Sequence, residues 1–310
     1  MVIKRALVTG GAGFIGSHVV DALVSQGTSV EVLDLLTTGR RANLNPAATF
    51  HQVDLRSRDV GTLIEHTKPE VVFHLGAQSS VVVSVRDPME DVTVNVVGMV
   101  NLLQACVTQR VRKVVFASSG GTLYGEPQVL PCPEDHPIRP MSPYGASKES
   151  GEAFLRAFGS TFGLSGTALR LGNVYGPRQD PNGEAGVIAI FGGKMLRGEP
   201  VTIFGRGDQE RDYVHVRDVA HAFVIASEES ASEVYNVGTG AGTTVNALFK
   251  ELAALTGYST PPVHADARPG EVFRVSLDSG KLEQRLGWRP SVGLKEGLAQ
   301  TVEWLRRQPS

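Results

Sequence analysis

The apolar run Ala6-Leu7-Val8 leads directly into Thr9-Gly10-Gly11-Ala12-Gly13-Phe14-Ile15-Gly16, where a helical pattern begins. Three of these glycines are spaced G-x-x-G-x-x-G between a strand signal and a helix signal. In that setting Gly10 makes the tight turn, Gly13 lets the backbone approach a diphosphate, and Gly16 lets helix pack on strand. The N-terminal turn, with Gly13, Phe14, Ile15 and Gly16, then favours the anion. A second apolar run, Ser29 to Leu33, closes on Asp34, placed to accept from a ribose 2'-hydroxyl. A carboxylate there repels a 2'-phosphate, so the expected cofactor is NAD rather than NADP, although Arg40 and Arg41 follow closely.

With 310 residues the chain can bury a large core in one large or two closely connected domains. A formal net charge of -2, with no basic run, argues against nucleic acid as partner. The chain enters its first strand without a signal-like segment, and no apolar run approaches membrane-spanning length. It is expected to be cytoplasmic, with no membrane partner. Cys106 and Cys132 make no disulfide framework and read as small apolar fillers. The eight histidines show no metal-ligand spacing, so no metal is expected.

Strand and helix signals alternate through roughly the first 170 residues. The expected fold is α/β: a Rossmann-type doubly wound parallel sheet with a smaller, discontinuous C-terminal substrate domain. Strands are expected at Ile3 to Val8, Ser29 to Leu33, Phe50 to Val53, Val71 to Leu75, Val114 to Ser118, Thr167 to Leu171 and Glu233 to Gly238. A long helix is expected over Pro88 to Gln109, and another from Pro143 with Ser142 as its cap. The turn-rich stretch after Pro177 leaves the nucleotide domain. The expected domains are 1–174 with 213–240 for NAD, and 175–212 with 241–310 for substrate. Asp218, ahead of an apolar helical run, reads as an N-cap.

Tyr144 and Lys148 are four apart and share one helical face. A tyrosine hydroxyl is a poor base at neutrality, and a nearby ammonium together with a nicotinamide cation favours its phenolate. A serine at a strand end could bridge substrate and tyrosine, and Ser118 and Ser119 end the fifth strand, at the edge where open α/β sheets bind ligands.

Together with Asp54-Leu55, His74-Leu75-Gly76-Ala77-Gln78, Asn95, Ser118 to Gly125 and Asn173 to Arg178, these motifs resemble the extended short-chain dehydrogenase/reductase family. Within it the chain is similar to the bacterial UDP-glucose 4-epimerases over nearly its whole length. The resemblance implies that Asp54 and Leu55 meet the adenine, that Leu75, Ala77, Gln78 and Ser118 lie along the cofactor, and that Asn95 supports the site. It implies Ser119, Tyr144 and Lys148 as catalytic residues. Toward a UDP-sugar it implies Thr122, Asn173, Gly186, Val187, Ile203, Phe204, Arg211, Arg268 and Glu271, the two arginines gripping a diphosphate. The family often has Ser or Thr where this chain has Gly120. The bridging hydroxyl must then come from Ser119, or else from Ser118 or Thr122. Gly121 and Thr122 stand where 4,6-dehydratases resemble Asp-Glu, which disfavours elimination of water.

The implied activity is NAD-dependent inversion at C4 of a UDP-hexose through a 4-keto intermediate, in a homodimer pairing through helices at 88–109 and 143–162. The alternatives are a UDP-N-acetylhexosamine or UDP-glucuronate epimerase and, from another class, a non-catalytic NAD sensor or scaffold. Intact Ser119, Tyr144 and Lys148 count against the last.

Overall fold

The computed structural model describes residues 3–183, 186–267 and 272–308. Its strands are β1 (Arg5–Thr9), β2 (Ser29–Asp34), β3 (Thr49–Gln52), β4 (Val71–His74), β5 (Lys113–Ser119), β6 (Ser165–Leu171), β7 (Asn173–Tyr175), β8 (Thr202–Phe204), β9 (Glu210–His215), β10 (Glu233–Val237), β11 (Gly242–Thr244) and β12 (Val263–Ala265). Its helices are α1 (Phe14–Ser25), α2 (Asp59–Thr67), α3 (Val81–Arg86), α4 (Pro88–Val92), α5 (Gly98–Thr108), α6 (Gly120–Leu123), α7 (Pro143–Phe162), α8 (Val187–Leu196), α9 (Val216–Glu228), α10 (Val245–Thr256), α11 (Gly280–Leu286) and α12 (Leu294–Arg306).

The first unit is built on a seven-stranded sheet in the order β10-β6-β5-β4-β1-β2-β3. The pairings of β1 with β2 and β4, of β2 with β3 and of β4 with β5 are all parallel. The strands β1, β4 and β5 are covered on both faces, which is why they read as continuous apolar runs. Leu7, Leu33, Ile64, Val72, Leu102 and Val114 share its core. After β1 the chain moves to β2 and β3 on one side, and β4 and β5 continue on the other. The strand order therefore reverses between β1 and β4, where open sheets form a ligand crevice at their carboxyl ends.

The expected long helix is present with an interruption. A π-helical turn, Thr93–Val97, separates α4 from α5, and such wide turns displace side chains from the regular helical face, frequently at functional sites. The whole stretch Pro88–Thr108 is, by length and composition alone, long and apolar enough to cross a membrane. That corrects the expectation that no run approaches this length. Here Met99, Leu102, Leu103 and Cys106 enter the core, and α5 packs on α2 and α7.

The second unit has a three-stranded sheet, β11-β9-β7, and the pair β12-β8. Its core joins Tyr175, Ile188, Phe191, Tyr213, Leu248 and Leu298. The units comprise 1–123, 140–170 and 220–235 in the first, and 124–139, 171–219 and 236–310 in the second. This differs from the expected division by short boundary shifts at 171–174 and 236–240 and, more substantially, in two further places. Residues 213–219 go with the second unit because β9 pairs with β7 and β11. Residues 124–139 follow because the Cys132 N–H donates to the Ser276 carbonyl at 2.7 Å and the Asp278 N–H to the Cys132 carbonyl at 2.9 Å. Asp218 is likewise not an N-cap. The helix starts two residues earlier, and the Asp218 carboxylate accepts from the Ser291 hydroxyl at 2.5 Å and the Val292 N–H at 3.0 Å.

Candidate active site

Helix α7 opens as its sequence requires, with Pro143 in the first turn and the Ser142 hydroxyl accepting from the Gly145 N–H at 3.2 Å. It lies close on β5: a Cβ at Gly151 would stand 2.7 Å from the Phe116 ring. That approach lets buried Lys148 reach the strand, donating to the Ala117 carbonyl at 3.0 Å. The ammonium also sits 5.0 Å from the Phe116 ring centre and 5.6 Å from that of Tyr144.

The end of β5 sorts the candidate hydroxyls. Buried Ser118 donates to Glu152 Oε1 at 2.6 Å, and Arg170 holds the same carboxylate at 2.8 Å. Thr122 donates to Ser119 at 2.9 Å. Ser119 stands near enough to the Tyr144 hydroxyl to favour its ionised form. Ser119 is thus the serine that meets the tyrosine, with Thr122 behind it.

Burial raises the pKa of the Tyr144 hydroxyl, the charge of Asp91 raises it further, and the Ser119 hydrogen bond pulls the other way. In the protein itself burial dominates over the expected pull of the ammonium, which is engaged with the Ala117 carbonyl. Lys148 itself is lowered to about 8 by burial, with Asp91 opposing the fall. At the end of β4, His74 is lowered to about 3 by burial and then by Lys148. It is bonded to the Thr9 hydroxyl at 2.8 Å and stacked on Phe116.

The residues at the switch point fit a dinucleotide. Gly10 has φ +69°, and a Cβ there would lie 2.6 Å from the Gly76 N. Gly13 is the N-cap of α1, no side chain caps that helix, and its first turn, starting at Phe14, Ile15 and Gly16, has no acid. This leaves the helix N-terminus suited to a diphosphate. Asp34, ending β2, is oriented by the Ala12 N–H at 3.0 Å and the Leu36 N–H at 2.8 Å. Asp54 is held by Arg56 at 2.7 Å, which lowers its pKa. Leu55 is buried, and its carbonyl accepts from Asn101 at 2.7 Å. Leu75 and Ala77 are half-buried past the end of β4. Gln78 and Asn95 pair reciprocally: the Gln78 N–H donates to Asn95 Oδ1 at 2.8 Å, and Asn95 Nδ2 donates to the Gln78 carbonyl at 2.9 Å. Asn95 lies in the π turn.

In the second unit Asn173 begins β7, Gly186 caps α8 with φ +102°, and Val187 opens that helix. The Ile203 side chain is in the core, so only its backbone is available to a ligand. Phe204 lines a pocket of about 260 Å³ with Gly205, Gln209, Val272 and Phe273. Arg211 donates to the carbonyls of Glu210 at 2.9 Å and Phe273 at 3.3 Å. Arg268 and Glu271 lie outside the described residues. Among the described residues no cluster of His, Cys, Asp and Glu could hold a metal.

Sequence reasoning missed Glu152, Arg170, Asp91 and Ser147. Glu152 had a signal, since it continues the Tyr144-Lys148 face by one more step of four. The other three contact the site through tertiary packing and carry no motif.

The chain matches the model of the NAD dependent epimerase/dehydratase family over residues 6–238. It is 47% identical over 300 residues to a putative UDP-glucose 4-epimerase of Methanocaldococcus jannaschii, covering 97% of this chain and 98% of that one. It is similar to the solved UDP-glucose 4-epimerase of Thermotoga maritima with UDP-glucose, with TM-score 0.97, 49% identity, and coverage of 98% and 99% of the two chains. Against that of Thermus thermophilus in complex with NAD, the TM-score is 0.94 at 46% identity, covering 98% and 99%.

Proposed function

Because this chain belongs to the NAD dependent epimerase/dehydratase family, we propose that it interconverts UDP-glucose and UDP-galactose by inversion at C4. The observation that carries this reading is the convergence of Ser119, Tyr144 and Lys148 in the unit that also holds the glycine loop and Asp34. NAD, when bound, supplies the acceptor that takes the C4 hydride and returns it to the other face of the sugar.

The chain's own groups manage the proton and the geometry. Ser119 orients the C4 oxygen, and Tyr144 Oη takes the proton of the C4 hydroxyl as the C–H bond breaks. The sugar is then a 4-keto species. After it presents its opposite face, Tyr144 gives the proton back to the C4 oxygen, so no net oxidation occurs. Lys148, fixed on the Ala117 carbonyl, holds positive charge beside the tyrosine ring. A positively charged nicotinamide held beside it would add to that field and oppose the burial that raises the Tyr144 pKa. Asp34 selects NAD by accepting from a ribose hydroxyl.

The working form is a cytoplasmic homodimer. Exposed apolar side chains support the pairing: Met89 on α4, Val97 in the π turn, and Phe154 and Phe162 on α7, with Val85 on neighbouring α3. Proton NMR of the purified protein with UDP-galactose tests the activity. Growth of UDP-glucose without added cofactor is expected, and denaturation should release NAD. A static spectrum from protein that carries NAD would overturn the reading, and the same experiment with UDP-N-acetylglucosamine and UDP-glucuronate decides between the sugar classes.

A further inference from the structure

Asp91 is fully buried in α4, a place where an ionisable side chain is costly unless it is held. Its Oδ1 accepts from Gln78 Nε2 at 2.7 Å and from Asn95 Nδ2 at 3.2 Å, while Oδ2 is buried without a protein hydrogen-bond partner. The same Asn95 Nδ2 donates to the Ser147 hydroxyl at 3.1 Å, and Ser147 in turn donates to the Tyr144 carbonyl at 2.9 Å. One carboxylate therefore joins the loop after β4, the π turn and the first turn of α7.

We infer that Asp91 is a positioning residue of the reaction, fixing Gln78 and Asn95 on the cofactor side and, through Ser147, setting Tyr144 and Lys148 in place. The inference rests on the epimerase reading for the reaction that it serves. A neutral amide pair would be a less costly way to link buried strands and helices, so the charge needs its own reason. Ionisable groups facing Asp91 from the packed elements are Tyr144 and Lys148 of α7. On its own helix, neighbouring Glu90 pairs outward with Arg56 at 3.0 Å. His74 on β4 is uncharged near neutrality and feels Lys148. The buried negative charge thus favours the ammonium of Lys148 against the burial that lowers it.

Without the charge, the Lys148 ammonium loses its proton at lower pH, and the alkaline limb of turnover moves toward acid. Asp91→Asn preserves shape and one acceptor, and Asp91→Ala removes the link altogether. In Asp91→Asn we expect kcat to fall by about tenfold or more with little change in KM for UDP-galactose, and the alkaline limb of kcat to move down by about one pH unit. In Asp91→Ala we expect gel-filtered protein to retain much less NAD than the parent, measured as nucleotide released on denaturation. A parental alkaline limb in Asp91→Asn overturns the inference, as does parental NAD retention in Asp91→Ala. A parent protein that does not turn over UDP-galactose would instead remove the epimerase reading, and NAD retention would still decide the role of Asp91.

Discussion

The hydroxyl of Ser118 donates to Glu152 Oε1 across 2.6 Å, deep between β5 and α7, and this bond separates two adjacent serines into different tasks. Ser118 is committed to a carboxylate that Arg170 also grips at 2.8 Å. Ser119 is left to Tyr144.

The two serines should therefore fail differently. Ser119→Ala should lower kcat by on the order of a hundredfold while leaving stability near that of the parent. Ser118→Ala should retain most turnover but lose about 1–3 kcal/mol of stability, since the buried Glu152 oxygen loses a donor. Steady-state kinetics and urea unfolding on both variants check this. Equal kinetic losses would refute the division of labour.

Tyr144→Phe removes one oxygen and should abolish most turnover, by a hundredfold or more, with NAD still retained. Lys148→Met should also slow the reaction, and it should leave no alkaline limb attributable to an amine titrating at about 8. Turnover followed across pH 6 to 10, an interval of about four units chosen to bracket that amine, reads both effects.

Much of this site was legible because its parts are local. Gly10 to Gly16 act within one turn, Asp34 ends the next strand, and Tyr144 and Lys148 repeat at a helical interval. The sheet was legible for a similar reason, since β1, β4 and β5 are buried on both faces and carry continuous apolar runs. What escaped depends on contacts distant in sequence. Glu152 meets Ser118 across 34 positions, and Asn95 meets Ser147 across 52. The π turn at Thr93–Val97 has no breaker residue to announce it. The division of the units also turned on pairing rather than pattern, because β9 looks like any sheet strand until its partners are known.

His74 should make the protein acid-sensitive. Its native value, about 3, lies below the ordinary imidazole value, so the unfolded chain binds the proton more readily. Its contribution to stability is complete above the unfolded value, near 6.5, and declines as pH falls toward 3. At pH 5 roughly 2 kcal/mol should be gone. His74→Gln keeps a polar partner for Thr9 without titrating. It should be less stable than the parent at pH 7 and show a shallower fall to pH 5 in urea unfolding, whereas an unchanged slope would assign the acid sensitivity elsewhere.

Arg211 offers a sharper test of the nucleotide-sugar end of the reading, because a neighbouring arginine serves as its control. Both touch Glu210: Arg211 donates to its carbonyl and to that of Phe273, beside the pocket that Phe204 lines, while half-exposed Arg274 pairs with its carboxylate at 3.0 Å. A guanidinium that binds a diphosphate oxygen contributes about 1.5–3 kcal/mol, whereas an exposed ion pair contributes under about 1 kcal/mol. Calorimetric titration of UDP should therefore show at least about tenfold weaker binding to Arg211→Ala and a much smaller change for Arg274→Ala. Equal affinities in the two variants would reduce Arg211 to a brace for the Phe273 backbone and move diphosphate recognition to other residues.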